Sequence, residues 1–168
     1  RGTTLKESII NILSKLFPKK IIIVSSAPQI RYPDCYGIDM SVMKSFVAFQ
    51  AMIELCEEMG KEDFIEEIYE RCKAQEDLPK EEMVNHVKEL YAMFTDKQIS
   101  DRIAAIVRPA NLKYELEVLF QTIEGLHLAC PENLGDWYFS GDYPTPGGTK
   151  VVNKAFINYM EKSSERAY

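Results

Sequence analysis

A chain of 168 residues, 46% hydrophobic and 27% charged, has the composition of one soluble globular domain with a core of its own and room for a small appendage. Its net charge of −6 speaks against a general nucleic-acid binder, which needs a basic stripe to release counterions from phosphates. No run approaches the roughly 20 apolar residues of a bilayer span and no charged-then-apolar leader opens the chain, so no membrane partner is expected and the reading is cytoplasmic. Cys35, Cys56, Cys72 and Cys130 stand singly, with only His86 and His127 to help them hold a metal. That spacing fits reduced structural thiols better than a zinc or iron–sulfur site, and the cysteine density is too low for a disulfide framework.

The chain starts Arg1-Gly2-Thr3-Thr4 without an initiator methionine, and the natural polypeptide is expected to extend upstream or to have been cut. Thr4-Leu5-Lys6-Glu7 has the form of a capping box. Leu5, Ile9, Ile10, Leu13, Leu16 and Phe17 follow at helical spacing, so a helix is predicted from about Leu5 to Leu16, ended by Pro18. A Gly-Thr-Thr loop feeding a helix N-terminus suits a phosphate, because free N–H groups and hydroxyls converge there; simple N-capping explains the same residues without a ligand.

Lys19 to Met40 is the stretch around which the chain is organised. Ile21-Ile22-Ile23-Val24 shows no alternation, which predicts a strand buried on both faces of a parallel sheet. It breaks into Ser25-Ser26-Ala27-Pro28 and a loop rich in polar and aromatic residues. Ligands of open α/β sheets sit outside the carboxyl ends of strands, so this loop is the place to look for chemistry. With the helix leading straight into the strand, the two read as the second half of a β-α-β unit whose first strand lies before Arg1.

From Ser41 to Pro109 the periodicity is helical, with segments predicted at about Val42–Met59, Lys61–Ala74, Lys80–Phe94 and Lys97–Val107. Ser41, Asp77-Leu78-Pro79 and a second capping box, Thr95 to Gln98, mark starts, and Gly60 closes the first helix. Glu54 to Glu89 carries 13 acidic and 5 basic residues, a solvated acidic face. The methionines and phenylalanines between Met43 and Phe94 read as ordinary core. An outer strand is predicted from Lys113, with Tyr114, Leu116, Val118 and Phe120 on one face, and a short helix Ile123–Ala129 capped by Thr122. His127 reads as a satisfied histidine rather than a ligand. Gly135 to Gly148 holds the only tryptophan, and its aromatics predict an ordered loop. A final helix is expected over Val151–Met160, followed by a fraying tail, Ser163–Tyr168.

Three stretches together resemble one family. Arg1-Gly2-Thr3-Thr4 before a helix resembles the end of the phosphoribosyl-pyrophosphate loop of glutamine amidophosphoribosyltransferases, Ile30 to Met40 resembles their R-[YF]-P-x-x-Y-G-I-D-M segment, and Phe139-Ser140-Gly141-Asp142-Tyr143-Pro144-Thr145 resembles their F-[ST]-G-x-Y-P-T segment. The resemblance covers about Arg1 to Met40 and Tyr114 to Thr145. It implies an α/β fold, the C-terminal part of a type I phosphoribosyltransferase-like parallel sheet, with a largely helical insertion at about 42–109 and an aromatic loop plus tail at about 131–168.

The family takes ammonia from glutamine and displaces pyrophosphate from phosphoribosyl pyrophosphate (PRPP), giving phosphoribosylamine in the first committed step of purine synthesis. The resemblance implies that Arg1, Gly2, Thr3 and Thr4 hold the ribose 5-phosphate, and that Arg31, Tyr36, Gly37 and Asp39 shape or brace the same crevice. It also implies Mg2+ arriving with PRPP, purine nucleotides as further ligands, and a homo-oligomer. The family's paired aspartates and its glutaminase domain with the cysteine nucleophile would lie before Arg1. No catalytic residue is therefore expected in this chain, which should be inert alone. Family members with an iron–sulfur cluster place cysteines where this chain has Asp34, Gly135 and Tyr138, with Cys35 one residue out of step, so a cluster-free protein is expected. Two other classes stay open: a non-catalytic phosphosugar or nucleotide-binding module, and a helical module whose acidic face docks a partner.

Overall fold

The computed structural model describes residues 4–35, 40–132 and 135–168. Its sheet has two strands, β1 (Lys20–Ser25) and β2 (Glu115–Phe120), paired in parallel with Ile21 opposite Leu116 and Ile23 opposite Val118. The fold class is α/β. Alternation along β2 puts Leu116 and Val118 into the core beside Ile21. The unbroken apolar run of β1 predicted burial on both faces, and here the structure differs. Ile22, Val24 and Leu119 on the outer face are 52%, 72% and 44% exposed, because no element covers that face among the described residues.

The first helix also departs from expectation. A wide π-type turn, Leu5–Ile9, leads into α1, Ile10–Ser14. Thr4 is itself in helical conformation and its side chain makes no capping bond, so the predicted capping box is absent; an N-cap hydroxyl reaches back to the helix amides only from an extended backbone. Of the apolar residues expected on one face, only Ile10 is buried, while Leu16 and Phe17 are 74% and 83% exposed.

Between the strands the described residues form α2 (Val47–Glu58), α3 (Glu62–Lys73), α4 (Val87–Tyr91) and α5 (Asp96–Val107), with single 3-10 turns at Met43–Ser45 and Lys80–Glu82. The capping box at Thr95 is present in full, with the Gln98 amide donating to the threonine hydroxyl and the Gln98 side chain accepting from the Thr95 amide. Gly60, at φ +63, closes α2. The helix expected over Lys80–Phe94 is instead broken. Gln75 accepts from the Val84 amide and donates to the Val84 carbonyl, which holds the chain extended between the turn and α4.

Met43, Phe49 and Met52 are fully buried, so the Met/Phe set is largely core. α5 packs on α2 and β2, and α3 on α8 (Pro146–Met160). Phe49 meets the edges of Phe156 and Tyr159 at 6.2 and 4.8 Å. Thr122 caps α6 (Ile123–Ala129) by accepting from the Gly125 amide, as expected. α8 begins five residues earlier than predicted, since Pro146 suits a first turn that needs no N–H donor. The tail does not fray: Ala167 is 5% exposed, and the Asn158 amide donates to the Glu165 carbonyl at 2.9 Å.

Lys73 pairs with Glu76 and Glu161 at 3.1 and 2.6 Å, Lys154 with Glu76 at 2.9 Å, and the Tyr69 hydroxyl donates to Glu161, so α3 is tied to α8 by charge. The Lys73 ammonium and then Tyr69 hold the Glu161 carboxyl below its usual range, and Lys154 with Lys73 does the same for Glu76. A carboxyl depressed in the folded state contributes stability above its unfolded value of about 4.3, and that contribution is lost as pH falls through the folded value. The thermal midpoint should therefore drop between about pH 5 and pH 3, by a modest amount because the groups are exposed. Lys73→Gln should make the drop shallower in melts across that range.

Candidate functional site

The loop leaving β1 is built by side chains that replace regular pairing. Ser25 Oγ donates to the Ala27 carbonyl at 2.9 Å, turning the chain out of the strand. Gln29, 3% exposed, then donates to the Asp96 carbonyl and to Ser100 Oγ, both at 2.8 Å, and accepts from Arg31 Nη2 at 2.7 Å. The Arg31 guanidinium also pairs with the Asp96 carboxylate and lies 5.3 Å from the Tyr91 ring centre. The Tyr91 hydroxyl closes the knot by donating to the Arg31 carbonyl at 3.1 Å.

Arg31 thus joins the loop to α4 and to the start of α5, and its charge is committed to that bracing. Burial pushes the Tyr91 and Tyr32 hydroxyls well above the ordinary tyrosine range, so both remain neutral donors at physiological pH. Tyr32 is 2% exposed and meets Tyr91 edge-on at 5.3 Å.

The same loop docks on the aromatic stretch more than 100 residues away. The amides of Arg31 and Tyr32 both donate to the Tyr138 carbonyl, at 2.9 and 3.1 Å. Asp34, 9% exposed, accepts from Trp137 Nε1 at 2.8 Å and from the Cys35 amide at 2.7 Å, while its own amide donates to the Met40 carbonyl. The Tyr143 hydroxyl donates to the Pro33 carbonyl. Gly141, at φ +76, ends α7 (Trp137–Ser140), and a Cβ there would lie 2.9 Å from the Tyr32 ring. Gly148 is required for a different reason, since a Cβ there would fall 2.0 Å from the Tyr143 ring.

Two cavities flank this junction. One, of about 290 Å³, lies at the carboxyl ends of the strands and is lined by Ser25, Pro28, Gln29, Phe46, Ile103 and Phe120. The other, of about 530 Å³, lies against Asp34, Trp137, Tyr143, Gly147, Gly148 and Lys150. The place of the first agrees with the rule that puts ligands outside the carboxyl ends of parallel strands.

Of the residues singled out by sequence, Arg1, Gly2, Thr3, Tyr36, Gly37 and Asp39 lie outside the described residues. Thr4 is exposed at the start of the first helical turn, and no hydrogen bond links it to Arg31. Sequence reasoning missed Gln29, Tyr91 and the bracing role of Asp96. A glutamine in a loop carries no periodic signal, and Asp96 read only as part of a helix start. His127 sits half-exposed against Asp136 at 3.0 Å, a paired surface histidine.

Cys56 and Cys72 are buried thiols that desolvation pushes up to about 11 and 12, whereas Cys35 is exposed and raised chiefly by Asp34. Among the described residues no three His, Cys, Asp or Glu converge on one point as metal ligands would, and no helix is long and apolar enough to cross a membrane.

The chain is 39% identical over 66 residues to a protein of Haemophilus influenzae, 38% over 78 residues to one of Lachancea kluyveri and 44% over 48 residues to one of Escherichia coli. All three are amidophosphoribosyltransferases. The similarity is to that family. The matched stretches cover 39%, 44% and 29% of this chain but only 13%, 15% and 9% of those amidophosphoribosyltransferases. Such partial matches fit a fragment of an amidophosphoribosyltransferase. No protein-family model matches the chain, and no solved structure matches it.

Removing the Arg31 fork leaves the buried Gln29 carbonyl oxygen without its donor. Arg31→Ala should therefore cost about 2–3 kcal/mol in urea unfolding, and Arg31→Lys less. Trp137→Phe strips a donor from buried Asp34 and should cost about 1–3 kcal/mol in the same measurement.

Proposed function

We propose that this chain is the C-terminal part of the phosphoribosyltransferase domain of a glutamine amidophosphoribosyltransferase, built on a type I phosphoribosyltransferase sheet. The observation that carries the reading is the junction itself. The family-like loop that starts at Ile30 and the aromatic stretch from Trp137 to Thr145, far apart in sequence, close on each other beyond β1: the Arg31 and Tyr32 amides donate to the Tyr138 carbonyl, Trp137 to Asp34, and Tyr143, within the family-like Phe139 to Thr145, to the Pro33 carbonyl.

In this reading Arg1 to Thr4 bind the ribose 5-phosphate of PRPP through backbone N–H groups, hydroxyls and the helix N-terminus. The loop from Pro28 to Met40 forms the neighbouring wall, held rigid by the Arg31 knot so that the crevice keeps its shape. Arg31 is a positioning residue, and Tyr36, Gly37 and Asp39 belong to that wall. In the complete enzyme the ammonia nitrogen attacks C1 of the ribose, the bond from C1 to the pyrophosphate oxygen breaks, and pyrophosphate leaves with the electron pair. Mg2+ would enter with PRPP; the described residues offer no cluster of three His, Cys, Asp or Glu for it. An iron–sulfur cluster has no place in this reading. Residues 42–109 are a helical elaboration outside the chemistry. Because the paired aspartates and the glutaminase come from upstream in the family, the 168-residue polypeptide alone is inactive.

The test is PRPP-dependent formation of phosphoribosylamine by the natural full-length polypeptide and by residues 1–168 alone. Activity in the first and none in the second is expected; an inactive full-length protein that still binds PRPP would replace this reading with a binding module. In the active protein, Gly2→Ala with Thr3→Ala should weaken PRPP binding at least tenfold, each lost charge-assisted contact being worth about 1.5–3 kcal/mol.

A further inference from the structure

A third cavity, of about 530 Å³, lies between α3, α8 and the segment 163–168. Its floor is polar and fixed. Gln75 and Asn153 are buried there, and Val84 holds both, since its amide and carbonyl bond Gln75 and its carbonyl also accepts from Asn153 Nδ2 at 3.0 Å. Around that floor stand Lys73, Lys150, Lys154 and Arg166, with Glu76 and Asp77 as the acids of the lining. A chain whose net charge is −6 thus gathers a surplus of cations at one concavity, and a concave low-dielectric wall focuses such a field. Lys73 and Lys154 are engaged by Glu76. Lys150 and Arg166 are engaged by nothing among the described residues. Arg166 is in that respect alone among the described arginines, because Arg31, Arg71 and Arg102 pair with carboxylates and Arg108 donates to the Leu112 carbonyl.

The segment that carries Arg166 is held down against local penalties. Lys162, at φ +55, takes a left-handed turn that favours glycine. Asn158, 6% exposed, donates to the Glu165 carbonyl but keeps its Oδ1 buried without a donor. In return Ala167 is the segment's one core residue. We propose that this cavity is a site for the phosphate group of a small molecule, with Arg166 and Lys150 as its cations. A guanidinium fork and an ammonium suit a phosphate dianion, the fork through two parallel N–H···O bonds and the ammonium as a point charge. The volume has room for a ligand body beyond the phosphate. A phosphate bound by both residues ties segment 163–168 to α8, which offsets the penalties at Lys162 and Asn158. None of the residues assigned above to PRPP takes part, so the inference holds or fails apart from the transferase reading.

The test is lysine protection in the natural full-length polypeptide. Trace acetylation with acetic anhydride is run with and without millimolar inorganic phosphate, ionic strength being held constant with chloride, and labelling is read residue by residue by peptide mass spectrometry. Phosphate should slow the labelling of Lys150 at least threefold and leave Lys61, exposed at the start of α3, unchanged. Arg166→Gln should abolish that protection, and Arg166→Lys should keep part of it. Ribose 5-phosphate at the same concentration separates two sources of the group: stronger protection than by inorganic phosphate assigns a phosphate ester, equal protection the free ion. Labelling of Lys150 that is indifferent to both probes overturns the inference, as does protection that survives Arg166→Gln. Equal slowing at Lys61 and Lys150 means an adventitious ion only and overturns it as well.

Discussion

The Arg31 guanidinium is the point on which the chain's two halves depend. It is a permanent cation held at 15% side-chain exposure, and a charge so placed is tolerable only if its donors are used. Gln29 Oε1, the Asp96 carboxylate and the Tyr91 face take them up. Each of those partners belongs to a different element, so satisfying one side chain aligns the loop after β1 with α4 and the start of α5. The planar fork matters here, because a single ammonium could not reach Gln29 and Asp96 while lying along the Tyr91 ring.

That alignment presents the backbone from Arg31 to Asp34 to the aromatic stretch. Two consecutive amides share the Tyr138 carbonyl, and Trp137 and Tyr143 reach across to Asp34 and Pro33. Backbone and side-chain hydrogen bonds together satisfy polar groups of this loop that have no sheet partner. Gly141 and Gly148 are there to let Tyr32 and Tyr143 lie flat against the backbone. Polar satisfaction and aromatic packing therefore act on the same few residues, and the walls of both flanking cavities inherit their rigidity.

The helical region is held by ordinary means. Phe49, Phe156 and Tyr159 form its aromatic centre, and the charged seam between α3 and α8 lies at its surface. Its acidic character serves hydration and pairing: Arg71 and Arg102 are each bound by two glutamates.

Local signals determined much of this from sequence alone. The β1 run, the alternation along β2, the Thr95 capping box, the Thr122 cap and the Gly60 stop are all decided within a few residues, so they survived into the structure. The motifs around Arg31 and Phe139 marked where to look, and the amidophosphoribosyltransferase relatives agree with the family those motifs named. Long-range partners decided the rest. Gln75 broke a helix by holding Val84, nine residues on, and Asn158 pinned a tail expected to fray. Gln29, Tyr91 and Asp96 became one cluster only because the chain folds back over 60 residues. The apolar outer face of β1 is the reverse case: its sequence specifies burial, and the described residues supply no layer to provide it. Periodicity encodes what a residue requires of its surroundings, and only tertiary structure says which atoms, in this chain or beyond it, meet the requirement.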